Sequence, residues 1–178
     1  MPTTYAHYRF GKEVTEALPR GLQNTIEYHR DLYDIGLHGP DILFYYKALK
    51  SHPVNQQGHT VHENFADTFF EHAVSVIEKA EDPAAARVYI YGVICHFALD
   101  SECHPYIEKM IQESGISHCE LEMEFDRMLM SDGSRRNSDF RDTQVDIKDN
   151  SWSFEAGGSR IGELVILLSD SEQHGRIV

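Results

Sequence analysis

The chain has 178 residues, and its 29 acidic and 16 basic side chains give a formal net charge of −13 at pH 7. This charge argues against electrostatic capture of a nucleic-acid backbone or of an anionic membrane surface. A hydrophobic content of 41% is sufficient for a globular core, and the length suits a single domain.

The N-terminal sequence and the cysteines indicate the cellular compartment. MPTTYAHYRF has no basic start followed by an apolar run, so no secretory signal is predicted. The longest apolar stretch, 88–99, is about a dozen residues and is too short to span a bilayer. The three cysteines are an odd number, which is typical of a reducing environment. We therefore expect a cytoplasmic location and no transmembrane segment.

Helical patterns occupy the first part of the chain. The apolar spacing predicts helices over 5–18, 22–33 and 42–49, with a turn rich in glycine and proline between the second and the third. His7 lies in the first of these helices, where a lone histidine is usually structural. Asp41 immediately precedes the third helix, where a helix N-cap is a good alternative to a functional role.

The next segment is predicted to be a polar loop followed by a long helix. Residues 51–58 are mostly polar, and 59–80 follow the apolar spacing of an amphipathic helix. His59 and His62 are three residues apart, so both rings are able to approach one face of that helix.

A buried central helix is predicted to begin at Pro83, which follows Asp82 as a capping residue. Pro105 predicts a kink or a restart of this helix, and Gly115 predicts its end. Ser117 is then expected to cap a helix over 118–130.

Two sets of polar residues with helical spacing lie in this region. His96, Asp100 and His104 are each four residues apart, and His118 and Glu122 repeat the same interval. Residues four apart lie on one face of a helix, so each set forms one ridge. Imidazole and carboxylate ligands on facing helices are how a helical bundle builds a metal site in its core.

Burial strengthens the metal interpretation of the first ridge. Asp100 follows the apolar stretch 88–99, and a buried unpaired carboxylate costs roughly several kcal/mol. A divalent cation would compensate this charge. The alternative is a buried hydrogen bond between His96 and Asp100 without a metal.

The composition changes after residue 130. Residues 131–158 are polar and rich in glycine and serine, and one short apolar run, 161–168, follows. We therefore predict an all-α domain over 1–130 and a polar tail of uncertain order over 131–178.

The combined pattern resembles the zinc-dependent phospholipase C family, and the stretches TYAHYRFG, GLHGPDILFYY and CHFALDSECHPYIE are most similar to its cytoplasmic relatives. The resemblance covers roughly residues 1–130 and does not extend to the tail. It implies a compact helical bundle with a buried site for two or three Zn²⁺ ions. Carried over by position, the implied zinc ligands are His7, Asp41, His62, His96, Asp100, His104, His118 and Glu122. His62 is preferred to His59 as the ligand from its helix.

The resemblance also implies a function. Such a site suits hydrolysis of a phosphodiester by a zinc-activated water, with a phospholipid or another small phosphodiester as substrate. Asp41 is the ligand best suited to orient the water or to take its proton. The alternative is a catalytically inactive helical interaction module stabilised by metal. No nucleic-acid partner is expected.

Overall fold

The computed structural model describes residues 4–47, 50–63 and 66–131, and these residues form helices joined by short turns. No strand occurs among them, so the fold is all-α as predicted. The helices are α1 Thr4–Ala17, α2 Arg20–Tyr28, α3 Arg30–Gly36, a 3-10 helix Gly39–Asp41, α4 Ile42–Tyr45, α5 Pro53–Glu63, α6 Ala66–Lys79, α7 Pro83–Ser114 and α8 His118–Ser131. None of these helices is both long and apolar enough to cross a membrane.

The described residues fall into two compact units. The first contains 4–41 and 87–131, and the second contains 42–47, 50–63 and 66–86. The predicted tail, 132–178, lies outside the described residues, so the predicted boundary near residue 130 stays a prediction.

The core of the first unit is built from α2, α3 and α7. Its buried members are Ile26, Tyr33, Leu37, Val88 and Cys95, and residues of α1 pack against them. The hydroxyl of Tyr33 donates a hydrogen bond to the Gly11 carbonyl at 2.9 Å. A tyrosine hydroxyl needs such a partner when it is buried, and this bond connects α3 to α1.

Helices α1, α7 and α8 agree closely with the sequence prediction. Helix α7 is 32 residues long and continues through Pro105, so the predicted restart does not occur. It ends at Gly115, whose φ of 71° lies in the left-handed region that favours glycine. The Ser117 hydroxyl lies 3.4 Å from the Glu120 amide and caps α8 as expected.

The single helix predicted over 22–33 is wrong, because the chain breaks at His29. There φ is −119° and ψ is 39°, and the amide of His29 bonds to the Ile26 carbonyl. No glycine or proline marks this position. Ile26 and Tyr33, on either side of the break, are both fully buried, so packing of the two segments decides it.

The helix predicted over 42–49 is also shorter than expected. The helix ends at Tyr45. Lys47 has a φ of 47°, and a backbone in this conformation cannot continue a right-handed helix. The Asn55 amide donates to the carbonyls of Leu43 and Tyr46 at 2.9 and 2.8 Å. A side chain 12 residues away therefore satisfies the end of α4.

Of the polar loop predicted over 51–58, residues 53–58 are instead the first half of α5. Pro53 occupies the first helical position, where its missing amide costs nothing. Gly58 lies inside this helix because a Cβ there would come within 2.8 Å of the Phe44 ring. The glycine thus indicates close packing against α4 rather than a loop.

We predict that Gly92→Ala strongly destabilises the first unit. Helices α3 and α7 touch at Gly36 and Gly92, and a Cβ at Gly92 would lie 2.3 Å from the Tyr33 carbonyl oxygen. Because the obstacle is backbone, the helices must move apart. Overpacking of this kind costs about 1–3 kcal/mol or more. The free energy of unfolding from urea denaturation measures the effect.

Gly21→Ala is the matched control, because a Cβ there would meet no atom within 4 Å. Since alanine is favoured over glycine in a helix, this variant should be neutral or more stable by up to about 1 kcal/mol. Equal stability of Gly92→Ala and the parent protein would contradict the close crossing of α3 and α7.

Candidate metal centre

Asp100, on α7, lies among three imidazoles of the first unit. One carboxylate oxygen is 3.1 Å from His96 Nε2. The other is 3.3 Å from His7 Nε2 and 3.7 Å from His104 Nε2. His96 and His104 are one turn before and after Asp100, as their spacing predicted. His7 comes from α1, and only the packing of α1 on the rest of the unit brings it there.

A buried cluster is formed by His7, His96 and Asp100. One ligand atom from each lies within 4.8 Å of the other two. The two imidazole rings stack with centroids 4.2 Å apart. The side chain of His96 is 1% exposed and that of His7 is 7% exposed. The cluster thus sits in an environment of low dielectric, where charge needs a close partner.

Asp41 approaches the same cluster from the turn after α3. Its carboxylate lies 3.7 Å from His96 Nε2, and its side chain is 5% exposed. Gly39 allows this approach: its φ is 53°, and a Cβ there would lie 2.3 Å from the His96 ring. The turn therefore passes directly over the imidazole, and glycine is required on both counts.

The orientation of His96 suits a metal ligand. Its Nδ1 lies 3.1 Å from the Leu37 carbonyl, so Nδ1 donates a proton to that oxygen. In the neutral ring, the form that binds a metal, the lone pair is then on Nε2, which lies 3.1 Å from Asp100 and 3.7 Å from Asp41; in the protonated ring, Nε2 instead donates to these carboxylates. Metal-binding histidines characteristically donate their other ring nitrogen to a carbonyl or carboxylate in this way.

A second cluster of possible metal ligands lies between the second half of α7 and the start of α8. One ligand atom each from His104, His118 and Glu122 lies within 4.8 Å of the other two. His118 Nε2 is 2.7 Å from the Glu122 carboxylate. The side chains of His104 and His118 are 38% and 43% exposed, so this cluster opens to solvent. Asp100 connects it to the buried cluster through its contact with His104.

The charges of the site favour a cation at its centre. Burial opposes ionisation of Asp100, but hydrogen bonds from His7 and His96 outweigh it and hold the pKa of the carboxyl well below its usual range. Burial likewise lowers the pKa of His96, but Asp100 and Asp41 overcome this and raise it. These carboxylates thus attract positive charge, whether a proton or a metal. Imidazole nitrogen and carboxylate oxygen are the donors that zinc accepts, so the residues present fit that ion.

His38 stands beside this site as a neutral group. Burial lowers its pKa to about 4, although the charge of Asp41 opposes the shift. At pH 7 the imidazole therefore adds a dipole and no charge.

His62 lies in the second unit, on α5. Its Nδ1 donates a hydrogen bond to the Gly58 carbonyl at 2.7 Å. The His62 and His59 rings lie 5.5 and 4.8 Å from the Phe44 ring. Both histidines are exposed. The choice between them as a ligand stays a prediction.

Two groups near the clusters were not foreseen from the sequence. The Leu37 carbonyl orients His96, and no local pattern announces a contact across 59 positions. Asp126 is a buried carboxylate on α8. Asp126 is four residues after Glu122, just as Glu122 is four residues after His118. This repeated spacing in the sequence could have predicted that Asp126 shares their helix face.

Comparison with known families agrees with the geometry. A family model described as zinc-dependent phospholipase C matches residues 6–168. The match extends beyond residue 130, so the resemblance covers more of the chain than its motifs indicated. Comparisons with curated proteins and with solved structures gave no significant match. The family match and the ligand clusters together support a zinc-dependent hydrolase.

Proposed function

The chain belongs to the zinc-dependent phospholipase C family, and we propose that it hydrolyses phosphodiesters with zinc, using phospholipids or related small phosphodiesters as substrates. The observation that carries this proposal is the position of Asp100, whose carboxylate lies within 3.7 Å of imidazoles from both clusters. A carboxylate in contact with imidazoles of both clusters would help to hold a metal ion in either one, and such ions would stabilise the charge on a phosphoryl group.

The proposed ligands divide between the two clusters of the first unit. The buried set is His7, Asp41, His96 and Asp100. The other set is His104, His118 and Glu122, and it is called exposed because of its two histidines, since Glu122 itself is buried. His62 is proposed as a further ligand on the family resemblance alone. Zinc, when bound, would lower the pKa of a coordinated water toward about 7 and offset negative charge on the phosphoryl oxygens.

Asp41 is proposed as the catalytic carboxylate. Its side chain is 5% exposed, and it lies at the buried side of the site, 3.7 Å from His96 Nε2. A carboxylate held in this position orients a water molecule through one oxygen and accepts its proton. The ring of His38 is neutral at pH 7 and therefore adds no positive charge beside Asp41.

The exposed cluster defines the side from which a substrate arrives. His104 and His118 are each more than one-third exposed, whereas the side chains of His7 and His96 are almost fully buried. We therefore propose that the phosphate group of the substrate approaches at His104 and His118. The net charge of −13 disfavours a nucleic-acid strand as the bound phosphodiester.

The test combines metal content with phosphodiesterase activity. Protein purified without chelator should contain about two or three zinc ions per chain. It should hydrolyse p-nitrophenyl phosphorylcholine, lose that activity after dialysis against 1,10-phenanthroline, and regain it with added zinc. A protein that holds zinc but hydrolyses neither this ester nor phosphatidylcholine vesicles would instead be a metal-stabilised, non-catalytic module. A protein without zinc would overturn both interpretations.

A further inference from the structure

A buried carboxylate outside the proposed ligand set connects the two ends of the described chain. Asp126, on α8, is 8% exposed. Its two oxygens accept hydrogen bonds from the backbone amides of Tyr5 and Ala6 at 3.1 and 2.9 Å. These amides belong to the first turn of α1, where amides have no partner within the helix. Asp126 therefore caps α1 from a position 120 residues away.

This cap lies between residues of the two metal clusters. Ala6, which donates to Asp126, directly precedes His7 of the buried cluster. Glu122 of the exposed cluster is one helical turn before Asp126. A short hydrogen-bonded path thus connects a ligand on α1 to the helix that carries His118 and Glu122. The negative charge also suits the positive end of the α1 dipole, so the contact is favoured electrostatically.

We propose that Asp126 is a positioning residue of the metal centre. It fixes the first turn of α1 against α8 and thereby holds His7 at the 3.3 Å distance from Asp100. Asp126 itself is not proposed as a ligand, since both of its oxygens are engaged by amides. The inference rests on the proposed zinc-dependent function. It adds a residue that affects zinc affinity indirectly, by fixing the position of His7.

Asp126→Asn tests the inference. The asparagine side chain keeps one acceptor oxygen and replaces the other by an NH₂ group, so one of the two bonds to α1 is lost. Loss of a partner that orients a metal ligand typically costs 10- to 100-fold in metal affinity. Zinc affinity is measured for each site by competition with a chromogenic chelator. His7→Ala and His118→Ala, measured in parallel, identify which cluster each affinity belongs to.

The expected result is a 10- to 100-fold loss at the site that His7→Ala weakens, with little change at the site that His118→Ala weakens. Asp82→Asn is the matched control. The Asp82 carboxylate also caps a helix, α7, by accepting from two backbone amides, those of Ala84 and Ala85 at 3.1 and 3.0 Å, although both bonds go to one oxygen, Oδ1. This cap is exposed and outside both clusters, so zinc affinity should not change.

Parental affinity at both sites in folded Asp126→Asn would overturn the positioning role, as would an equal loss in Asp82→Asn. If circular dichroism shows that Asp126→Asn is unfolded, Asp126→Glu replaces it. Glutamate keeps both oxygens on a longer side chain and is judged by the same criteria. Affinity is measured without substrate, so an inactive protein that binds zinc leaves this inference standing while the proposed function fails. A parent chain that binds no zinc ends both.

Discussion

Asp100→Asn is expected to remove zinc and phosphodiesterase activity together. The carboxylate lies within 3.7 Å of His7, His96 and His104. Asparagine replaces one of its oxygens with an NH₂ group, which does not coordinate a cation. Changes in groups that only orient ligands cost about 10- to 100-fold in metal affinity. Loss of a shared ligand should therefore cost at least about 100-fold. Elemental analysis and hydrolysis of p-nitrophenyl phosphorylcholine measure the two losses.

Glu102→Gln provides the control for the change of charge. Glu102 is on the same helix, two residues beyond Asp100, and is exposed. The substitution Glu102→Gln removes one negative charge from α7 and changes no residue of either cluster, so zinc content and activity should match those of the parent protein. Full zinc content in Asp100→Asn would disprove the role of Asp100 as a shared ligand.

Removal of zinc by a chelator is expected to lower the melting temperature by about 8–16 °C. Without a cation, the carboxylates of Asp41 and Asp100 both lie close to one nitrogen, His96 Nε2, at 3.7 and 3.1 Å in a largely buried site. Zinc at about 1,000 times its dissociation constant would stabilise the folded state by about 4 kcal/mol. In a chain of this size, 1 kcal/mol corresponds to about 2–4 °C. Differential scanning calorimetry with and without 1,10-phenanthroline measures the shift.

The melting experiment has an internal comparison. Because Asp100→Asn already lacks the proposed zinc, the chelator should change its melting temperature by no more than a few degrees. Added zinc should restore the parent protein, whereas magnesium, which prefers oxygen ligands, should not. Elemental analysis must first show that the chelator has removed the zinc from the parent protein. If the melting temperature is then unchanged, the metal does not contribute to folding stability.

Sequence patterns predicted correctly those helices whose ends are set by residues close together in the chain. The apolar spacing and Ser117 defined α8, and Asp82 with Pro83 defined the start of α7. The break at His29 and the early start of α5 were missed because they depend on neighbours in space. Gly58 is inside a helix since Phe44 leaves no room for a side chain, and the sequence does not show that neighbour.

The candidate site divides in the same way. The sequence by itself determined the two ridges, because residues four apart on a helix share a face whatever the rest of the chain does. The family resemblance implied that His7 and Asp100 are both zinc ligands, but only the tertiary structure shows that their side chains lie 3.3 Å apart. The Leu37 carbonyl on His96 and the Asp126 cap on α1 were decided by tertiary structure alone. These contacts join residues 59 to 121 positions apart, and helical periodicity carries no information over such separations.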